Sequence, residues 1–115
     1  MPLVKLSICA TLTDAKRDAI LKAASAAVAK ATGKPEAYMM CVIEPATIVM
    51  AGKPGPAAFA DVRGIGGFNR TVNSAITRAL CDLLHTELGI VSDRVYATFT
   101  NVDADFWGCN GETFG

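Results

Sequence analysis

The sequence predicts an α+β fold: a duplicated β-α-β unit whose halves join in a four-stranded mixed sheet with two helices on one face. Three observations lead there. An alternating apolar run opens the chain, stretches with helical apolar spacing recur at matching places, and each ends on a glycine. Those glycines, Gly33 and Gly89, stand 56 residues apart. The pseudo-repeats span about 2–44 and 57–100 within one domain of 115 residues, a length that suits a single core.

Leu3 to Cys9 sets Val4, Leu6 and Ile8 against Lys5, Ser7 and Cys9, the period of a half-buried strand. The "TLTD" segment then offers helix-starting residues, and Ile20, Ala23, Ala24, Ala27, Val28 and Ala31 recur at helical spacing. Gly33 stops that helix and Pro35 forbids its resumption. Tyr38 to Ile43 is apolar throughout, which predicts a central strand covered on both faces. The Pro-, Gly- and Ala-rich stretch from Glu44 to Ala60 reads as a connection with a short strand inside. The pattern then restarts: a strand over Ala57 to Arg63, a "GIGG" turn, and a helix carrying Val72, Ile76, Ala79, Leu80 and Leu83. Asn69 or Thr71 is its expected cap, and Arg94 to Thr100 its following strand. Right-handed crossovers make each half a parallel pair.

Composition narrows the function. Hydrophobic residues make up 51% of the chain and charged ones only 19%, so part of the surface is expected to lie under another subunit. Eleven basic and eleven acidic residues cancel, which leaves no basic field for nucleic acid or an anionic membrane. No signal-peptide pattern or membrane-length apolar run stands out, so a cytoplasmic location is expected. Cys9, Cys41, Cys81 and Cys109 are widely spaced, without a CxxC or a paired histidine; neither a metal nor another cofactor is expected. The "GIGG" segment lacks the third glycine of a dinucleotide loop, and His85 reads as a surface residue.

Pro2 is the odd residue. It cannot donate to a sheet ladder, so one reading makes it a mere strand starter. In the other, removal of Met1 turns it into a free secondary amine, a base made without a side chain. Lys34 lies in the "TGKP" loop before the second strand, and Ile65 where the third strand hands over to the second helix. The loop holding Lys34 returns to the sheet end where the first strand begins. There a lysine charge, an apolar pocket and an amide N–H would favour a neutral amine and an anionic substrate. On the fourth strand, Tyr96 and Thr98 point away from the helices, while Val95, Ala97 and Phe99 point to the core.

Met1-Pro2, "ATGKPEAYMM", "GIGGFNR", "SDRVYATF" and "WGCNGETFG" occur in an order and spacing that closely resemble the macrophage migration inhibitory factor family of the tautomerase superfamily. The resemblance spans essentially the whole chain. It implies a homotrimer with pockets at subunit interfaces and keto–enol tautomerisation of arylpyruvates such as phenylpyruvate. Pro2 would be the general base and Lys34 the anion binder. Ile65, Tyr38, Tyr96, Thr98, Phe106 and Trp107 would contact substrate, with Tyr96 coming from the adjacent chain. Thr98 stands where animal members often carry an asparagine, the 50–56 loop departs from the usual pattern, and "PAAFA" lacks a cysteine pair. The competing expectation is a cytokine-like signalling trimer with vestigial catalysis, or another isomerase of the superfamily. The sequence is silent on a receptor.

Overall fold

The computed structural model describes residues 2–115. The elements follow in chain order. Strand β1 (Leu3–Cys9) leads to helix α1 (Asp14–Thr32), strand β2 (Met40–Pro45) and a small hairpin of β3 (Val49–Met50) and β4 (Lys53–Pro54). Strand β5 (Ala57–Gly64), helix α2 (Arg70–Leu88) and strand β6 (Val95–Asn101) form the second half. A closing hairpin of β7 (Gly108–Cys109) and β8 (Glu112–Thr113) ends the chain.

The four long strands form one sheet in the order β2-β1-β5-β6. The outer pairs β1/β2 and β5/β6 are parallel, and the middle pair β1/β5 is antiparallel. This is the duplicated arrangement expected. Val4, Leu6 and Ile8 are buried, as their alternation predicts, and pack with Ala58, Ala60, Val62 and Val95 of the neighbouring strands. Ile20, Ala24 and Val28 of α1 and Ile76, Leu80 and Leu84 of α2 join the same core, so both helices cover one face. Each large aliphatic side chain removed from water there contributes about 1.5–3 kcal/mol.

Both helices begin and end for local reasons. The Thr13 hydroxyl accepts the Lys16 amide at 3.2 Å, and the Asn69 side chain accepts the Val72 amide at 3.0 Å, so Asn69 rather than Thr71 is the second cap. Gly33 and Gly89 close the helices at φ of 70° and 68°, a left-handed turn that a side chain would strain.

Three expectations need correction. Tyr38 to Ile43 is not a central strand. Tyr38 ends a short 3₁₀ turn (Glu36–Tyr38), and β2 begins at Met40 and runs along the sheet edge. The central place goes to β1, which has partners on both sides. The connection after β2 holds two short strands rather than one, and the last sheet strand starts at Val95, because Ser92–Arg94 forms a 3₁₀ turn. On the sheet face away from the helices, Lys5 pairs with Glu44 at 3.5 Å and Arg63 with Asp61 at 2.9 Å. Among the described residues, no helix is long and apolar enough to cross a membrane.

Candidate functional site

The antiparallel middle pair brings the starts of β1 and β2 to the same end of the sheet as the finishes of β5 and β6. Leu3 is registered with Met40 on one side and Arg63 on the other. Just before that register begins, the Pro2 carbonyl accepts the Met40 amide at 3.1 Å. The Pro2 ring is buried and forms the floor of a cleft of about 430 Å³. Tyr38, Met39, Met40, Trp107, Cys109 and Phe114 are among its walls. The lining is mostly apolar, with the backbone of β1, β2 and the closing hairpin behind it. The fate of Met1 concerns a residue outside the described ones.

Lys34 lies just around this end. Its Nζ donates to the Gly66 carbonyl at 2.7 Å and to the Ile65 carbonyl at 3.1 Å, and sits 5.8 Å from the centre of the Phe68 ring. Partial burial pulls the ammonium below its ordinary pKa, while two carbonyl dipoles and a ring face favour its charge. Gly67 leaves the room this needs: a Cβ there would meet Lys34 Cε at 2.9 Å. Two of the three ammonium hydrogens are engaged, which leaves one to donate outward.

The residues singled out in the sequence thus divide. Lys34 and Ile65 meet, though through the Ile65 carbonyl. Pro2, Tyr38 and Trp107 share the cleft at the same sheet end. Phe106, 80% exposed in a 3₁₀ turn (Ala104–Phe106), does not line that cleft. Tyr96 and Thr98 lie on the open sheet face, registered with Phe59 and Asp61; Tyr96 is 67% exposed and lines a separate cavity with Ile48, Val49, Met50 and Phe59.

Other cleft residues escape local patterning. Met39, Met40 and Phe114 join through the edge position of β2 and the closing hairpin. The hairpin had a readable signal, the Asn110-Gly111 pair, whose φ values of 52° and 81° suit a tight two-residue turn. The Phe114 amide then donates to the Trp107 carbonyl at 3.1 Å and brings the aromatic to the cleft. Gly66 and Phe68 are identified only by their spatial approach to Lys34.

Comparison with known proteins agrees with this architecture. A family model described as Macrophage migration inhibitory factor (MIF) matches residues 1–115. The macrophage migration inhibitory factor homolog of Trichinella spiralis is 34% identical over 115 residues, covering 99% of this chain and 100% of its own. The solved macrophage migration inhibitory factor of Toxoplasma gondii superimposes with a TM-score of 0.94 at 34% identity, covering 97% of this chain and 99% of that one. A fused 4-OT protein described as a symmetric trimer superimposes with a TM-score of 0.86 at 25% identity, covering 97% and 95% of the two chains. Matched along its whole length and sharing the two-helix, four-stranded architecture, the chain belongs to the macrophage migration inhibitory factor family, an isomerase family of the tautomerase superfamily.

Proposed function

We propose that the protein is a keto–enol tautomerase of arylpyruvate-type substrates, with the Pro2 amine, freed by removal of Met1, as its general base. The observation that supports this reading best is the placement of Pro2. It is the floor of an apolar cleft, at the sheet end where the Ile65 and Gly66 carbonyls hold a lysine ammonium. An ordinary α-amino group titrates at about 7.7–8.0, and a prolyl amine is intrinsically more basic. The greasy walls disfavour its protonated form, and the Lys34 charge at the same sheet end works in the same direction, so the nitrogen keeps its lone pair at neutral pH.

The amine then takes a proton from the carbon beside the substrate ketone. The electron pair moves into the carbonyl, and the protonated Pro2 amine returns that proton to the oxygen, which completes the enol and restores the free amine. The outward-facing hydrogen of Lys34 meets the substrate carboxylate, and an amide such as that of Ile65 supplies a further donor to the anion. Tyr38, Trp107 and Phe114 stack on the aryl group. Substrate therefore enters aryl group outward and pyruvate end inward.

A homotrimer is part of the same proposal. Among the described residues, strands β2 and β6 leave both sheet edges unpaired, and Tyr96, Val49 and Phe106 are largely exposed. Edges and side chains of this kind are met by neighbouring copies. In that assembly Tyr96, Thr98 and Phe106 serve the pocket of the adjacent subunit.

The test follows phenylpyruvate keto–enol conversion by ultraviolet absorbance, with intact mass reporting Met1. Protein lacking Met1 is expected to be active. Pro2→Gly, and a form retaining Met1, are expected to lose about 10²–10⁴-fold in rate. Undiminished turnover by either form refutes the role of Pro2.

A further inference from the structure

Three glycines, Gly64, Gly66 and Gly67, surround Ile65, and two of them lie at positive φ, 71° and 90°. Such backbone has few side chains to fix its path, so it presents carbonyls steadily to Lys34 only if something pins it. The pin is the next residue. The Phe68 amide donates to Asn101 Oδ1 at 3.2 Å, and Asn101 Nδ2 donates back to the Phe68 carbonyl at 3.1 Å. One side chain at the end of β6 thus clasps both backbone groups of one residue 33 positions away. A third bond, from the Val102 amide to the Gly64 carbonyl at 2.7 Å, ties the loop's other end to the same strand.

The Phe68 ring is held as firmly as its backbone. It is buried, and its centre lies 5.9 Å from the Phe99 ring at a tilt of 58°. The floor beneath it is Gly64, where a Cβ would come within 2.8 Å of the ring. The Lys34 ammonium also lies against it, 5.8 Å from the ring centre. A cation attracted to an immobile ring and to the two carbonyls just before it has one preferred place.

We propose that the Asn101–Phe68 pair positions Lys34: Asn101 fixes Phe68, and Phe68 fixes both the carbonyl cradle and the ring against which the ammonium rests. Phe68 and Asn101 are positioning residues, since the substrate meets Lys34 and not them. The kinetic part rests on the tautomerase reading above; the spectroscopic part does not. The order also explains why the glycine loop tolerates its freedom. Its conformation is set from the sheet end by β6, not by its own residues.

The experiment uses full-length protein labelled with carbon-13 at lysine Cε. In wild type the Lys34 Cε–Hε resonance is expected to stand apart from the other lysines through the ring current of Phe68. Asn101→Ala and Phe68→Leu are expected to bring it back toward them, while Phe68→Tyr, which keeps the ring, leaves it in place. With phenylpyruvate, Asn101→Ala and Phe68→Leu are expected to raise KM about fivefold with kcat within about twofold, and Phe68→Tyr to restore KM. Should Asn101→Ala fail to fold, Asn101→Asp keeps the acceptor for the Phe68 amide but loses the donor and turns a carboxylate oxygen toward the Phe68 carbonyl, so the resonance should move in the same direction. A Lys34 resonance unmoved by Asn101→Ala, in which the Phe68 ring is still present, or a fall in kcat with KM unchanged, overturns the proposal. Movement of the resonance in a protein that turns over no phenylpyruvate supports the positioning and refutes the tautomerase reading instead.

Discussion

Gly66 and Gly67 make a matched pair for measuring what the Lys34 cradle contributes. Both have positive φ, 71° and 90°, so alanine at either brings backbone strain of about 1–2 kcal/mol. They differ in what the new methyl group meets. At Gly66 nothing lies within 4 Å; at Gly67 the methyl would press on Lys34 Cε at 2.9 Å and Nζ at 3.2 Å. Ordinary contact begins near 3.4 Å, so the lysine side chain must retreat by several tenths of an ångström. Its hydrogen bonds at 2.7 Å and 3.1 Å cannot both survive that. A hydrogen bond to a charged group is worth about 1.5–3 kcal/mol, and the half-exposed setting of Lys34 reduces this to about 1 kcal/mol. Gly67→Ala should therefore be about 1 kcal/mol less stable than Gly66→Ala, beyond any difference in strain. Urea unfolding followed by the single tryptophan, Trp107, at fixed protein concentration measures it. Lys34→Ala removes Cε and Nζ altogether, so in that background the extra cost should vanish, a coupling of about 1 kcal/mol in a double-mutant cycle. A coupling of zero refutes the cradle.

The remaining predictions concern other parts of the molecule. Lys34→Ala should raise KM for phenylpyruvate at least tenfold. It should also move the acid limb of kcat/KM to higher pH, because a lost cation lets the Pro2 amine hold its proton more tightly; an unmoved limb disconnects the two groups. The Arg94 guanidinium donates to the carbonyls of Pro56 at 2.7 Å, Lys53 at 3.0 Å, Met50 at 3.4 Å and Gly55 at 3.5 Å. Arg94→Ala should loosen the 50–56 hairpin, with amide exchange there faster by about tenfold and the core strands unchanged. Burial, with help from Glu36, pushes the Cys41 thiol up to about 11 from 9.0, so it should react slowest with a thiol reagent and exposed Cys109 fastest. The folded state holds Cys41 neutral while the unfolded chain ionises it above pH 9, so this residue's contribution to stability should fall between pH 9 and about 11. Cys41→Ser should flatten that part of the stability curve.

Much of the fold was legible because burial follows local periods. Val4, Leu6 and Ile8 alternate because the sheet has one covered face, and the helix ends announce themselves at Thr13, Gly33, Asn69 and Gly89. The segment from Tyr38 to Ile43 misled for a physical reason. Tyr38 and Met40 are exposed apolar side chains that wall the cleft, Met39 walls it while also packing against the core, and a sequence period cannot tell one apolar environment from the other. The site divides the same way. Pro2, Lys34 and Ile65 stand out through residue type and loop position. Phe68 and Asn101 act through contacts spanning more than thirty residues, which leave no mark on their neighbours in sequence.

Topology explains why one end of the sheet collects these groups and why Tyr96 is not among them. Two parallel pairs joined by an antiparallel one set the start of β1 beside the finish of β5, so Pro2, the Lys34 loop, the glycine loop and the segment after β6 converge. The same joining sends Tyr96 the other way. It registers with Phe59, which registers with Ser7, five residues along β1 from Pro2. At about 3.3 Å per residue, that is roughly 17 Å, beyond the reach of a tyrosine side chain. If Tyr96 serves the chemistry at Pro2, a second copy must bring it there. Catalysis and assembly are then linked by strand direction alone, and no rearrangement of side chains within one protomer can separate them.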